Sequence, residues 1–304
     1  MPNLTRRRFL AALPVAAAAA ADRTLATSEP ILDLHQHTQY EGRSDAELIA
    51  HQAYHRVTTT VLLPGDGWML SVLGDNTTCA ALERDYPELF VRFACSDAAE
   101  SRTPDVLRGN IHRGAIGIGE MKFHVAIDSP EMHRVYKVAE EAGVPVLIHF
   151  EYETYNTGLD RFESVLKSYP RVNFIGHAQT WWGNISAELD PLAMYPTGRI
   201  KPGGLTDRLL SDYSNVYGDL SARSGLNALT RDPDFARDFV ARHSRKLIWG
   251  SDCPCHDGKG AGYHEGYCIA GRCLAALRGL VSDRAELRRI LYENASELLK
   301  LKRG

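Results

Sequence analysis

The sequence has no apolar run long enough to cross a bilayer as a helix. Its alanine-rich segment covers only positions 11–21, whereas a span needs roughly 20 residues. It also lacks an excess of positive charge, with 35 Lys and Arg against 38 Asp and Glu and a formal net charge of −3. That disfavours a nucleic-acid partner, which is usually gripped by a basic surface that displaces counter-ions from phosphates. There is no G-x-S-x-G elbow, so serine-type hydrolysis has no local signature. Six cysteines in 304 residues do not call for a dense disulfide framework. No low-complexity stretch follows residue 22 and no linker divides the remainder, so residues 28–304 are expected to form one domain.

What is present begins with an address. Thr5, Arg6, Arg7, Arg8, Phe9 and Leu10 form a twin-arginine signature ahead of the short apolar segment. Residues 1–27 therefore read as a cleavable export signal, with a periplasmic or otherwise exported destination and no stable membrane insertion after cleavage. Removing them takes away four arginines and one aspartate and brings the formal charge to −6. Twin-arginine export carries folded proteins, which suits one that acquires a cofactor before it leaves.

From residue 30 short apolar runs alternate with helical patterns, as in βα units around a parallel sheet. Eight runs are expected as strands: 30–35, 58–64, 89–95, 115–123, 144–150, 172–178, 215–221 and 246–252. Between them, Ser44 with Glu47 three residues on predicts a capping box, and Pro130 with Gly143 brackets another helix. Eight such repeats predict an α/β fold, a closed (β/α)8 TIM barrel, with an additional C-terminal helix over residues 282–301. The longest interruption, residues 178–214, reads as an elaborated loop of the kind that often carries function.

Ligand-type side chains then fall at strand ends. The run ILDLHQH finishes in His35 and His37, which strict alternation would put on one face with Asp33. Glu120 closes the fourth run, His149 the fifth, His177 the sixth and Asp252 the eighth. Each alone has an ordinary explanation as a core histidine, a helix cap or an ion pair. Together they sit where a barrel gathers its active site, and four imidazoles with carboxylates suit zinc or another borderline divalent ion, with manganese or iron also compatible.

On these residues the chain resembles the amidohydrolase superfamily, in its amidohydrolase-related (amidohydrolase 2) group. The matching stretches are DLHQH at 33–37, GEMKFH at 119–124, IHF at 148–150, IGHAQ at 175–179, YGDLSA at 217–222, WGSDCP at 249–254 and YENASELL at 292–299. The resemblance implies one or two metal ions. His35, His37 and Asp252 would hold the more buried ion and His149 and His177 the more exposed one, with a bridging group from the fourth strand. Relatives use either a carboxylated lysine or a glutamate there; this chain offers Lys122 and Glu120, and GIGE favours Glu120. Asp252 would act as the general base on an activated water.

Lys122, His124, Gln179, Trp181 and Asp219 are expected to contact a small-molecule substrate; packing of the loop onto the barrel is the alternative for Trp181. The expected activity is hydrolysis of an amide, ester, lactone or related bond. A decarboxylase on the same scaffold and a noncatalytic periplasmic metal or ligand binder are the rivals, and a homo-oligomer is compatible with all three. Finally, CPCH at 253–256 with His264, Cys268 and Cys273 reads first as a disulfide pinning its loop, then as free thiols, then as a zinc site.

Overall fold

The computed structural model describes residues 29–262 and 266–301; the twin-arginine signature, the alanine-rich run and His264 lie outside the described residues. The eight expected strands form in order: β1 Leu32–Gln36, β2 Thr59–Leu62, β3 Phe90–Arg92, β4 Ile118–Met121, β5 Val146–His149, β6 Phe174–His177, β7 Val216–Asp219 and β8 Leu247–Ile248. All are shorter than the runs that announced them. An apolar run records burial, which continues past the point where the chain leaves the ladder to turn toward a helix.

Every neighbouring pair is parallel. Two backbone bonds of 2.9 Å, Ile116 N–H to Arg92 O and Ala94 N–H to Gly117 O, join β3 to β4, and Leu34 N–H to Trp249 O at 3.3 Å joins β1 to the end of β8. The result is the predicted (β/α)8 barrel. Leu32, Leu34, Val61, Leu63, Phe93, Leu147, Ile175 and Ile248 fill its interior together with Ala295 and Leu298, so the C-terminal segment helps to line it.

The helices that wrap the barrel are α1 Asp45–Tyr54, α2 Asn76–Asp85, α3 Thr103–His112, α4 Pro130–Ala142, α5 Phe162–Ser168, α6 Gln179–Gly183, α7 Leu205–Asp212, α8 Ala222–Thr230, α9 Pro233–His243 and α10 Ile269–Leu280. The Ser44–Glu47 box caps α1 reciprocally, and Gly143 ends α4 with a left-handed φ of 65°. The long loop after β6 is less irregular than expected, because α6 and α7 both lie in it.

The expected final helix is broken into Arg284–Arg288, a π-turn at Arg289–Glu293 and Asn294–Leu298. The π-turn has a visible use: the Ile290 carbonyl accepts the Trp249 N–H at 2.9 Å, a bond outside the helical ladder.

The structure corrects the simple alternation at β1. Its pairing with β2 shifts register between Asp33 and Gln36. Asp33 faces α1, where the Gln52 amide donates to it at 2.9 Å, while His35 turns into the barrel beside Asp219 of β7. An irregularity of one residue reverses which face a side chain takes.

Candidate metal centre

His35, His37, Glu120, His149, His177 and Asp252 converge at the carboxyl ends of the strands. Three overlapping sets have donor atoms within 4.8 Å of one another: His35, His37 and Glu120; His35, His177 and Asp252; and Glu120, His149 and His177. Local backbone makes the approach possible. A Cβ on Gly250 would lie 2.7 Å from Asp219 Oδ1 and 3.0 Å from His35 Cβ, so the chain beyond β8 comes this close only as glycine. Asp252 itself holds a left-handed φ of 44°, anchored by its N–H on the His35 carbonyl at 2.8 Å. Such a backbone costs a non-glycine residue on the order of 1 kcal/mol, which the surrounding contacts offset to aim the carboxylate.

The hydrogen bonds fix how the imidazoles present themselves. His37 Nδ1 lies 2.7 Å from the Leu63 carbonyl, which can only accept, so Nδ1 carries the proton. His35 Nδ1 lies 2.7 Å from Asp219 Oδ2. Their Nε2 atoms therefore face each other at 3.1 Å, an arrangement that requires a cation. Burial would lower the His35 pKa, but Asp252 and Asp219 outweigh it and raise it well above its ordinary value. Asp252 Oδ1 is buried without a hydrogen-bond partner. Burial would raise its carboxyl, yet His35 and His37 hold it below the usual carboxylate range. Facing imidazole lone pairs, an unpartnered carboxylate oxygen and a donor set of nitrogens and oxygens fit a divalent ion.

Glu120 divides its carboxylate between two sides. Oε2 lies 3.6 Å from His35 Nε2 and 3.7 Å from His37 Nε2. Oε1 lies 2.5 Å from His149 Nδ1 and 3.7 Å from His177 Nε2. Burial opposes its charge, but His149 and His35 pull its pKa well below the ordinary value.

Of the residues expected to touch substrate, two lie away from the cleft. Trp181 is fully buried, stacked on Phe150 at 5.8 Å. Asp219 is fully buried behind the imidazoles, bonded to His35 and 3.2 Å from His177 Nδ1. Burial pushes its carboxyl up, but the two histidines draw it down to about 2. Asp219 thus orients rings, and Trp181 packs the loop.

Lys122, His124 and Gln179 do stand around the mouth. The Lys122 ammonium lies 5.3 Å from the Trp68 ring and 5.4 Å from that of Tyr155. After burial, its charge is the main influence lowering the pKa of His149. His124 Nδ1 contacts the Thr154 carbonyl at 2.9 Å. Gln179, with Glu151, lines a cavity of about 970 Å³ between the loops after β5 and β6, which meets the metal centre only through Glu151 and has neither Lys122 nor His124 in its walls.

Four residues had gone unassigned. Ser221 Oγ sits 3.2 Å from His35 Nδ1 and 3.1 Å from His177 Nδ1, and Glu151 lies 3.1 Å from His149 Nε2. Tyr40 packs edge-on against His37 at 5.0 Å, near enough to Asp252 and Glu120 for their charges, after burial, to raise its pKa, and Trp68 stacks on Tyr155 at 5.1 Å. Ser221 and Glu151 immediately follow recognisable strand ends and were findable; Tyr40 and Trp68 come from loops without a pattern.

A sequence model of the protein family described as Amidohydrolase matches residues 5–301. No curated protein matches the chain. Among solved structures, the chain is similar to a probable 2-pyrone-4,6-dicarboxylic acid hydrolase from Acinetobacter baumannii, with 19% identity, TM-score 0.62, and 90% of this chain and 100% of that one covered. A dihydroorotase from Campylobacter jejuni gives 17% identity and TM-score 0.57, covering 90% of this chain and 84% of its own. A 2,6-dihydroxybenzoate decarboxylase from Rhizobium gives 13% identity and TM-score 0.54, covering 90% and 99%. At these identities the likeness is one of fold.

Proposed function

The chain belongs to the amidohydrolase family, and from that premise we propose that it is a metal-dependent hydrolase. It would cleave an amide, ester, lactone or related bond of a small molecule with an activated water. The family generally uses divalent metals, and we propose zinc, with manganese or iron as the alternatives, held by His35, His37, Glu120, His149, His177 and Asp252. The observation that carries the reading is the divided carboxylate of Glu120, one oxygen toward His35 and His37 and the other toward His149 and His177. That geometry suits a bridge between two ions, the arrangement expected of the hydrolase more than of the decarboxylase.

A bound ion would acidify water and polarise the substrate's oxygen. The protein's own groups do the rest. Asp252, the most accessible of the three carboxylates around His35 at 12% exposure, has a free oxygen to take a proton from the attacking water and return it to the leaving group. Asp219 and Ser221 hold His35 and His177 in one orientation. Lys122, beside the stacked rings of Trp68 and Tyr155, would receive an anionic group of the substrate.

That last feature also favours a second reading. Among the fold's relatives, the decarboxylase is named for an aromatic carboxylate, and a cation next to the Trp68–Tyr155 stack would suit such a ligand. The N-terminal signature supports export, with residues 28–304 acting as one catalytic unit in the periplasm.

The test is elemental analysis of the purified protein joined to a screen of esters, lactones, amides and carboxylated phenols. Two ions per chain held without cysteine ligands, together with hydrolysis, and loss of one of them in Glu120→Gln, is the expected result. One such ion, unaffected by Glu120→Gln, with release of carbon dioxide would favour the decarboxylase. Metal-free protein that stays inactive after zinc or manganese is supplied would sink both.

A further inference from the structure

We propose that Cys253, Cys255, Cys268 and His51 form a second, thiolate-rich zinc site that fastens the loop after β8 to α1. All four side chains are buried, and their sulfur and nitrogen atoms lie within 4.8 Å of one another. They come from three separate parts of the chain: α1, the stretch directly after Asp252, and the residue before α10.

Two of the spacings match the edges of a coordination tetrahedron. Zinc–sulfur bonds of about 2.3 Å and zinc–nitrogen bonds of about 2.0–2.1 Å put tetrahedral ligand atoms about 3.8 Å apart for two sulfurs and about 3.6 Å for sulfur and nitrogen. Cys253 Sγ and Cys268 Sγ are 3.9 Å apart, and Cys268 Sγ is 3.6 Å from His51 Nε2. A disulfide requires about 2.05 Å, and all six cysteines are free, so the pinning bridge expected from the sequence is not formed.

The surroundings are arranged for a metal ligand set. The Gln52 amide nitrogen donates to Asp33 at 2.9 Å and to Thr60 at 2.8 Å. Its carbonyl is thereby turned to His51 Nδ1 at 3.0 Å. Nδ1 carries the proton and Nε2 offers its lone pair to the sulfurs. The Gly260 N–H points at Cys255 Sγ from 3.1 Å, and the His55 Nε2 lies 3.2 Å from Cys268 Sγ, outside the ligand set.

Charge gives an independent argument. Arg43 is buried, and its hydrogen bonds all go to carbonyl oxygens: Cys253 at 2.7 Å, Cys255 at 3.0 Å, His37 at 3.1 Å and the side chain of Gln36. A buried guanidinium is unfavourable without a direct ion pair, and the carboxylates of Asp33 and Asp45 act on Arg43 only from a distance. On binding zinc the three thiols release their protons, and the resulting centre of three thiolates, one neutral imidazole and one divalent ion carries a single negative charge next to that guanidinium.

The experiment uses the full chain, stripped by chelator under reducing conditions and reloaded with cobalt. The expected result is a sulfur-to-cobalt charge-transfer band in the near ultraviolet, lost in Cys255→Ser and kept in His177→Ala. The strand-end cluster contains only nitrogen and oxygen donors and cannot produce the band, so its failure to bind metal and the failure of this site are read separately. If Cys255→Ser does not fold, His51→Cys must keep the band and strengthen it. A cobalt-loaded wild-type protein without the band overturns the proposal, as does peptide mapping that finds Cys253 and Cys268 disulfide-bonded in the isolated protein.

Discussion

At the floor of the cleft each imidazole is committed on one nitrogen to a protein partner: His37 to Leu63 O, His35 to Asp219, His177 to Ser221 and His149 to Glu151. At the mouth, Lys122 and Gln179 are half-buried, His124 is exposed, and Trp68 stays 39% accessible. The floor is locked by hydrogen bonds that tolerate no change of residue type; the mouth is a set of surfaces that a different ligand could use differently. Reaction chemistry belongs to the first and choice of substrate to the second, which is why one fold serves many reactions.

Substitution should divide the two regions cleanly. The largest effect is expected for Asp252→Asn, which should lower kcat roughly 10²–10⁴-fold, the usual share of a general base; a variant that still turns over at the wild-type rate removes Asp252 from that role. Next comes Asp219→Asn, which touches no substrate but should weaken metal binding about 10–100-fold, measured by competition with a chelating dye.

The same pair governs pH. A metal ion must displace the proton that Asp252 and Asp219 hold on His35, whose pKa they raise against the lowering effect of burial. Apparent affinity should therefore fall about tenfold per pH unit below that raised value and level off above it. In Asp219→Asn the levelling should move to lower pH.

Changes at the mouth should be smaller and of another kind. Lys122→Met is expected to raise KM for an anionic substrate about tenfold, the worth of about 1.4 kcal/mol, with kcat and metal content retained. A fall in kcat without a change in KM would transfer Lys122 to the floor. Trp181→Phe should leave kcat and KM unchanged, whereas Trp181→Ala should cost about 3–5 kcal/mol of stability in denaturant unfolding, as for any large core side chain.

The barrel was legible in the sequence because its strands repeat a simple pattern, and the six strand-end residues were legible because each interrupts an apolar run. What alternation could not supply was the direction of a side chain next to a register shift. Strict alternation puts Asp33 on the face of His35, one pleat deeper, as support beneath the metal; it faces α1 instead, where its carboxylate still accepts the His35 N–H at 3.1 Å and the Ser251 N–H at 2.8 Å. It supports the histidine through backbone. Asp219 and Trp181 were read as lining the pocket because they sit near strand ends; which of such residues points at solvent depends on packing between distant segments. Trp68 left no trace, since a loop residue acquires meaning only from the Tyr155 it stacks upon.

β8 is two residues long, and its support comes from downstream. Trp249 donates its N–H to Ile290, and the Asn294 amide donates to the Ser244 and Leu247 carbonyls at 2.7 and 2.8 Å. The strand leading to Asp252 is thus completed by residues some forty positions later, which places a condition on synthesis. On the ribosome His35 and His37 emerge early, but a nascent chain ending short of Asn294 lacks the bonds that hold the eighth strand. An ion met early in translation finds only the pair of imidazoles from the first strand, and the full set of donors is held in place only when nearly all of the barrel has been made.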